Sequence, residues 1–253
     1  MSDPKVSCLT ATHGRYSFLK EAITFFLDQD YPNKEMIILN NHEVPLIVDL
    51  PNIKVFNFPG HKTLGECRNT LVDLAFGDLV RTWDDDDIYL PWSIRQGVEG
   101  FLLAKEKGLT INAWKPVKSW SYRVDKNKIE PSGNAYEATW LVEAKFAREV
   151  KYRKGGGDEH KLLATALQET NSMIRGTVKP SEYSYAYRWG SSLCRISGTL
   201  NHPKMTVADR TTRWMRLNDD HGNGEPIKEV VEVNHYYDLF KEKAKEIEEN
   251  DGR

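Results

Sequence analysis

Short apolar runs alternating with helical patterns over the first hundred residues leave few folds open to this chain. Residues 5–10 read as a buried strand, Met36-Ile37-Ile38-Leu39 is continuously apolar, and residues 53–58 form a third strand closed by Pro59-Gly60. Residues 16–27 carry Phe18, Leu19, Ala22, Ile23, Phe26 and Leu27, and residues 64–76 carry Leu64, Cys67, Leu71, Leu74 and Ala75, both at helical spacing. Ser17 is the expected cap of the first helix, and Gly77 fits a left-handed residue after the second. Residues 78–83 then give a strand that runs into Asp84-Asp85-Asp86-Asp87. An uninterrupted apolar strand suits a parallel sheet covered on both faces. Strands alternating with helices therefore predict an α/β fold with a mostly parallel sheet. Ligands of such sheets bind beyond the carboxyl ends of the strands. The order of elements puts His13-Gly14-Arg15, Asn40-Asn41 and the four aspartates at those ends.

The second half reads differently. A helix over 91–107 is followed by short aromatic-rich strands, with a turn at Asp125-Lys126-Asn127-Lys128. Residues 140–142 look like a buried strand and 143–150 a helix. Gly155-Gly156-Gly157 leads into a helix over 158–167, residues 190–223 are loop-rich, and a charged helix over 228–249 closes the chain. At 253 residues with 40% hydrophobic and 28% charged side chains, the balance is that of a globular protein. A net charge of −2 provides no global field for nucleic acid or a membrane surface. Cys8, Cys67 and Cys194 form no CxxC pair, so neither a disulfide framework nor a structural zinc site is expected. No leader pattern opens the sequence and no apolar run is long enough to span a bilayer, so a cytoplasmic setting without membrane partners is expected.

Four consecutive aspartates after a hydrophobic strand are a charge conflict, because neighbouring carboxylates repel and strands disfavour Asp. A divalent cation resolves the conflict: magnesium and manganese take hard oxygen ligands and share their shell with phosphate oxygens. The competing reading is a solvated acidic turn whose third aspartate caps a helix before Pro91.

In ordered combination, several segments resemble the family 2 glycosyltransferases of the GT-A fold. They are Val6-Ser7-Cys8-Leu9-Thr10-Ala11-Thr12-His13-Gly14-Arg15, then Leu27-Asp28-Gln29-Asp30-Tyr31-Pro32, then Gly65-Glu66-Cys67-Arg68-Asn69. Ala75-Phe76-Gly77-Asp78 and Trp83-Asp84-Asp85-Asp86-Asp87-Ile88-Tyr89-Leu90-Pro91 complete the series. The resemblance covers about the first hundred residues well and the remainder loosely. It implies a Rossmann-like mixed sheet flanked by helices, with a nucleotide-sugar-binding half over 1–107 and a loop-rich acceptor half over 108–253 in one compact domain. It also implies a nucleotide-sugar donor, a UDP-sugar being favoured, and Mn2+ or Mg2+. The family's Asp-x-Asp element falls on Asp84-Asp85-Asp86, which makes Asp86 the first metal ligand. Asp84 assists it at the metal, and Asp84 or Asp85 meets the ribose or metal-bound water. Donor contacts are implied at Ala11, Thr12, Arg15, Asn40 and Arg68. The family's usual Asp pair after the second strand is here Asn40-Asn41, so the base that is read differs or is read differently.

Inverting sugar transfer needs a general base for the acceptor hydroxyl and stabilisation of the departing diphosphate. Gly157-Asp158-Glu159-His160-Lys161-Leu162 resembles the family's second signature, an acidic residue or pair opening a helix. Asp158 and Glu159 are the candidates, Asp158 first; helix capping would also place acidic residues there. His202, His221 and His13 are candidates for a further metal ligand, and Arg188 and Arg195 for a diphosphate clamp.

Between Arg175 and Arg216, eight basic residues face only Glu182 and Asp209, with Tyr183, Tyr185, Tyr187, Trp189 and Trp214 interleaved. A second such mixture holds Trp114, Lys115, Lys118, Trp120, Tyr122, Arg123, Lys126 and Lys128. Basic and aromatic mixtures suit a phosphate backbone with stacked or flipped bases, and they equally suit a sugar acceptor. The alternating tyrosines also read as one face of a strand. Together with the Tyr-Arg-Trp-Gly and Ile-Ser-Gly segments, the pattern resembles bacteriophage glycosyltransferases. That resemblance implies a hydroxymethylated base in double-stranded DNA as acceptor and the host cytoplasm as its place, with a surface glycan or small molecule as the alternative. From other classes, a non-catalytic binding domain on the same fold and a nucleotidyltransferase remain. The latter fits poorly with Thr12-His13-Gly14-Arg15, which is no phosphate loop.

Overall fold

The computed structural model describes residues 3–59, 63–133, 136–154, 158–190, 222 and 224–251. In chain order the elements are β1 (Val6–Thr12), α1 (Tyr16–Leu27), β2 (Lys34–Asn40), β3 (Ile53–Asn57), α2 (Leu64–Leu74), β4 (Leu79–Thr82) and β5 (Ile88–Tyr89). Then come α3 (Ser93–Glu106), β6 (Ala113–Pro116), β7 (Ser119–Arg123), β8 (Lys128–Ser132), β9 (Leu141–Glu143) and α4 (Ala144–Val150). α5 (Lys161–Glu169), β10 (Met173–Gly176), β11 (Tyr185–Trp189) and α6 (Asn234–Asp251) complete the series.

Seven strands form the central sheet in the order β10-β6-β9-β4-β1-β2-β3. β1 pairs parallel with β2 and β4, β2 with β3, and β6 with β10, whereas β9 runs antiparallel to both β4 and β6. Six of the seven strands therefore point one way, and their carboxyl ends share one edge of the sheet. β1 and β2 are buried along almost their whole length, and residues 36–39 of β2 read as a continuous apolar run for that reason. Alternate residues feed two cores. Cys8, Met36 and Ile38 join Phe26, Trp83, Phe101, Trp114 and Phe240 on one face. Leu9, Ile37 and Leu39 join Cys67, Leu71, Leu163 and Leu167 on the other. A smaller sheet, β5-β11-β7-β8, stands beside the larger core cluster.

The fold is the α/β arrangement expected from the alternation, and several local details differ from the sequence reading. Ser17 does not cap α1: Arg15 holds that position, with no side-chain cap. Gly77 is not left-handed. α2 already ends at Leu74 with Ala75 extended, and Gly77 is required because a Cβ there would lie 2.7 Å from the Lys5 carbonyl and 2.8 Å from the Leu79 carbonyl. α5 begins at Lys161 rather than Asp158, and the closing helix at Asn234 rather than 228. Tyr183, Tyr185 and Tyr187 are core residues, as are Trp114, Trp120 and Tyr122. Among the described residues no helix is long and apolar enough to cross a membrane. His202, His221, Arg195 and Trp214 lie outside the described residues, as do Gly155-Gly156-Gly157.

Candidate active site

The four aspartates follow β4 at the shared carboxyl edge, and the core beneath them fixes their backbone. Trp83 stacks on Tyr89 with ring centroids 3.7 Å apart and donates its indole N–H to the Ala22 carbonyl of α1 at 3.0 Å. Thr10 of β1 donates to the Trp83 carbonyl at 2.7 Å, and the Asp84 N–H donates to the Tyr89 hydroxyl oxygen at 2.7 Å. On this support each aspartate has a different environment. Asp84 lies nearest the opening, its side chain 35% exposed, and pairs with Arg68 at 3.2 Å. Asp85 is wholly buried, accepting from the Thr12 hydroxyl at 2.7 Å and from Arg15. Asp86 accepts from the other arm of the Arg15 guanidinium at 2.6 Å. Asp87 accepts from the Tyr185 hydroxyl at 2.5 Å and the Arg188 N–H at 3.0 Å, tying the run to β11.

Arg68 on α2 is the hub of the site. Its buried guanidinium contacts Asp84, Glu137 and, at 2.8 Å, Glu159. Glu137 lies in a 3-10 turn, residues Glu137–Thr139, that Arg81 of β4 anchors by donating to the Ala138 carbonyl at 2.8 Å. α2 itself starts from a capping box in which Thr63 accepts from the Glu66 N–H and Glu66 accepts from the Thr63 N–H. Gly65 lets this first turn meet the strand of chain before α5. A Cβ on it would lie 1.8 Å from the Arg153 carbonyl oxygen and 3.2 Å from the Glu159 Cβ. Gly65→Ala is therefore expected to push the 153–159 segment away from Arg68. The cost is roughly 1–3 kcal/mol of stability from overpacking, with a fall in turnover, and thermal melting combined with kinetics checks both.

The structure separates the two candidate bases. The Asp158 side chain is 48% exposed and paired with Arg153 at 2.5 Å. Glu159 is 7% exposed and faces Arg68 and Glu137. Glu159 is thus the member of the pair inside the site, and Asp158, ranked first from the sequence, is turned away from it. Glu137 and His160 were not singled out by sequence reasoning. They and Glu159 offer ligand atoms that all lie within 4.8 Å of one another. Glu137 stands in a stretch with no motif of its own, so only the fold brings it to Arg68.

Among the donor candidates, Thr12 spends its hydroxyl on Asp85, and Ala11 is a half-buried residue of β1. Asn40 is enclosed: its amide donates to the Val44 carbonyl and to Asn57, while its oxygen accepts from the His42 N–H. It shapes the loop after β2 rather than presenting a free amide to a base. His13 and His42 meet edge to face beside it at 5.1 Å. Arg188 places its Nε on the Asp86 carbonyl and its guanidinium on Glu21, so it braces the acidic run from behind.

Charge counting tests the fit of a cation. Among the described residues, Asp84, Asp85, Asp86, Asp87, Glu137 and Glu159 gather at one site, where Arg15 pairs with Asp85 and Asp86 and Arg68 with Asp84, Glu137 and Glu159. Burial opposes the charge on Arg15, yet Asp85 and Asp86 hold its pKa above the usual arginine value. Burial pushes the Asp84 carboxyl up to about 7 and the Asp85 carboxyl up to about 6, against the pull of Arg68 and Arg15 respectively. Such an excess of buried carboxylate suits Mn2+ or Mg2+. A stability prediction follows for the metal-free protein. The folded chain keeps protons on Asp84 and Asp85 that the unfolded chain has already released, so unfolding releases protons and stability falls as pH rises from about 4 to about 7. Saturating Mn2+ favours the ionised carboxylates and should flatten that slope. Melting curves across this range, with chelator or with Mn2+, provide the check, and a flat metal-free profile would refute it.

Known structures share this architecture. TarS of S. aureus in complex with UDP-GlcNAc superposes with a TM-score of 0.57 at 13% identity, over 86% of this chain and 72% of that one. TarS in complex with UDP gives a TM-score of 0.55 at 14% identity, over 86% and 71%. The mannosyltransferase PcManGT of Pyrobaculum calidifontis, in complex with GDP-Man and Mn2+, gives 0.54 at 10% identity, over 87% and 70%. Residues 7–109 match the model of Glycosyl transferase family 2. The chain is a glycosyltransferase of the GT-A fold. The family match ends just after α3, so it holds β1 to β5, Arg68 and the acidic run, and leaves Glu137 and Glu159 outside it. No curated protein matches the glycosyltransferase in sequence.

Proposed function

We propose that this glycosyltransferase moves a sugar from a nucleoside diphosphate donor, a UDP-sugar first, to an acceptor hydroxyl with inversion, using Mn2+ or Mg2+ held by Asp84 and Asp86. One observation carries the reading. A single guanidinium, Arg68, joins Asp84 of the acidic run to Glu159 before α5, so metal-side and base-side carboxylates belong to one site. The UDP and UDP-GlcNAc complexes of TarS support a uridine donor, and the GDP-Man and Mn2+ complex of PcManGT supports the metal.

When bound, the divalent ion supplies charge for the diphosphate as it departs. Thr12 and Arg15 hold Asp85, and Arg15 holds Asp86, in place. Glu159 accepts the proton of the acceptor hydroxyl as that oxygen bonds to the anomeric carbon and the bond to the diphosphate breaks. Arg68, 2.8 Å from Glu159, orients it for this step. The buried Trp114, Trp120, Tyr122, Tyr183, Tyr185 and Tyr187 remove much of the stacking surface that a flipped DNA base would use, which favours a glycan or small-molecule acceptor over a hydroxymethylated base.

The test is a panel of UDP-, GDP- and dTDP-sugars, followed for binding and slow donor hydrolysis with Mn2+, with Mg2+ and with chelator. Metal-dependent hydrolysis of a UDP-sugar is the expected result. Failure of every donor to bind or turn over would overturn the proposal.

A further inference from the structure

On the sheet face covered by α2, α4 and α5, Lys115, Arg175 and the Trp140 indole N–H have no acceptor among the described residues. Lys115 of β6 and Arg175 of β10 are register partners on parallel strands. Two residues back on those strands, Ala113 and Met173 pack into the core cluster under these helices, so Lys115 and Arg175 lie on the same face. The half-buried Lys115 ammonium stands 5.2 Å from the Trp140 ring centroid. Trp140 is 7% exposed, and its indole N–H is buried without a hydrogen-bond partner among the described residues. Nor does any carboxylate among the described residues pair with Lys115 or Arg175. Burial and the like charge of Arg175 both weigh against the Lys115 ammonium. Buried charges and buried N–H groups ordinarily have partners.

This cationic corner adjoins the reacting groups. The Trp140 N–H of the backbone donates to the Glu137 carbonyl at 2.8 Å, and the Trp140 ring meets His160 edge-on at 6.1 Å. His160 in turn lies within 4.8 Å, ligand atom to ligand atom, of Glu137 and Glu159. β6 and β10 end at the same sheet edge as β1 and β4.

We propose that Lys115, Arg175 and the Trp140 indole N–H form an acceptor subsite for one phosphate ester, carried by a polyol or sugar whose hydroxyl is presented to Glu159. This rests on Glu159 being the base. One ammonium, one guanidinium and one N–H match a single tetrahedral oxyanion. A DNA duplex would instead engage several phosphates along a basic stripe, whereas Lys115 and Arg175 are a single pair of register partners.

The experiment follows the Trp140 indole N–H resonance, assigned by its loss in Trp140→Phe, during titration with inorganic phosphate and with glycerol phosphate. A saturable shift is expected, weakened roughly tenfold in Lys115→Gln and in Arg175→Gln, the size of one hydrogen bond to a charged group. Arg175 is exposed, so its variant keeps the test valid if Lys115→Gln does not fold. An indole resonance that ignores phosphate, or that responds in both variants with the affinity of the unsubstituted protein, overturns the subsite. Transfer assays with sugar and polyol phosphates against duplex DNA decide the source. A rise of roughly tenfold in acceptor KM for a polyol phosphate in Arg175→Gln supports the proposal, and DNA as the sole acceptor overturns it. If phosphate shifts the indole while no nucleotide-sugar binds, the anion site stands and both its acceptor role and the transfer reading fall.

Discussion

Glu159→Gln is expected to lower kcat by roughly 10² to 10⁴-fold, the usual range for a lost general base. Donor affinity should stay within about threefold, because the amide keeps the shape of the carboxylate and Asp84 and Asp86 remain in place. The reasoning rests on position. Glu159 is enclosed beside Arg68 and Glu137, whereas Asp158 points to solvent and Arg153. Asp158→Asn should accordingly keep kcat within about twofold, since exposed ion pairs contribute little. Donor binding by calorimetry and transfer by product analysis separate the two variants. An inactive Asp158→Asn beside an active Glu159→Gln would move the base by one residue and refute the assignment.

Arg68→Met is expected to have the largest effect on stability. It removes the one guanidinium shared by Asp84, Glu137 and Glu159, leaving three carboxylates crowded in a mostly buried site. Breaking a buried ion pair from one side costs about 3–5 kcal/mol. The loss should shrink as pH falls, because protonated carboxyls no longer need the counter-charge. Mn2+ should restore part of it by supplying charge at Asp84. Arg68→Lys should recover little, since one ammonium cannot reach three carboxylates in the geometry of a planar fork. Urea unfolding at about pH 5 and pH 8, with and without Mn2+, tests all of this. A loss independent of pH and metal would show that Arg68 acts through packing alone.

How much of the site was legible in the sequence differs residue by residue. The aspartates were legible because they violate local physics: a buried strand that ends in four like charges needs an outside explanation. Arg68 was legible through its place in a known ordered pattern. Glu137 was not, because its role depends on β9 lying between β4 and β6, a long-range pairing that no local pattern encodes. The aromatic stretches misled in the other direction. Spacing showed that Tyr183, Tyr185 and Tyr187 alternate, but only the second sheet decided that all three are buried.

The acidic run shows the same division within four residues. The sequence by itself determined that carboxylates would stand at the carboxyl end of a buried strand, since period-2 apolar burial and strand-helix alternation allow no other place for them. Only the tertiary structure distinguished them: Asp84 open beside Arg68, Asp85 and Asp86 sharing Arg15, and Asp87 tied to Tyr185 and Arg188. The same holds for Asp158 and Glu159, chemically near-equivalent neighbours in the chain. Which of them faces the site is set by how closely Gly65 lets α2 approach the chain before α5, a contact between segments some ninety residues apart.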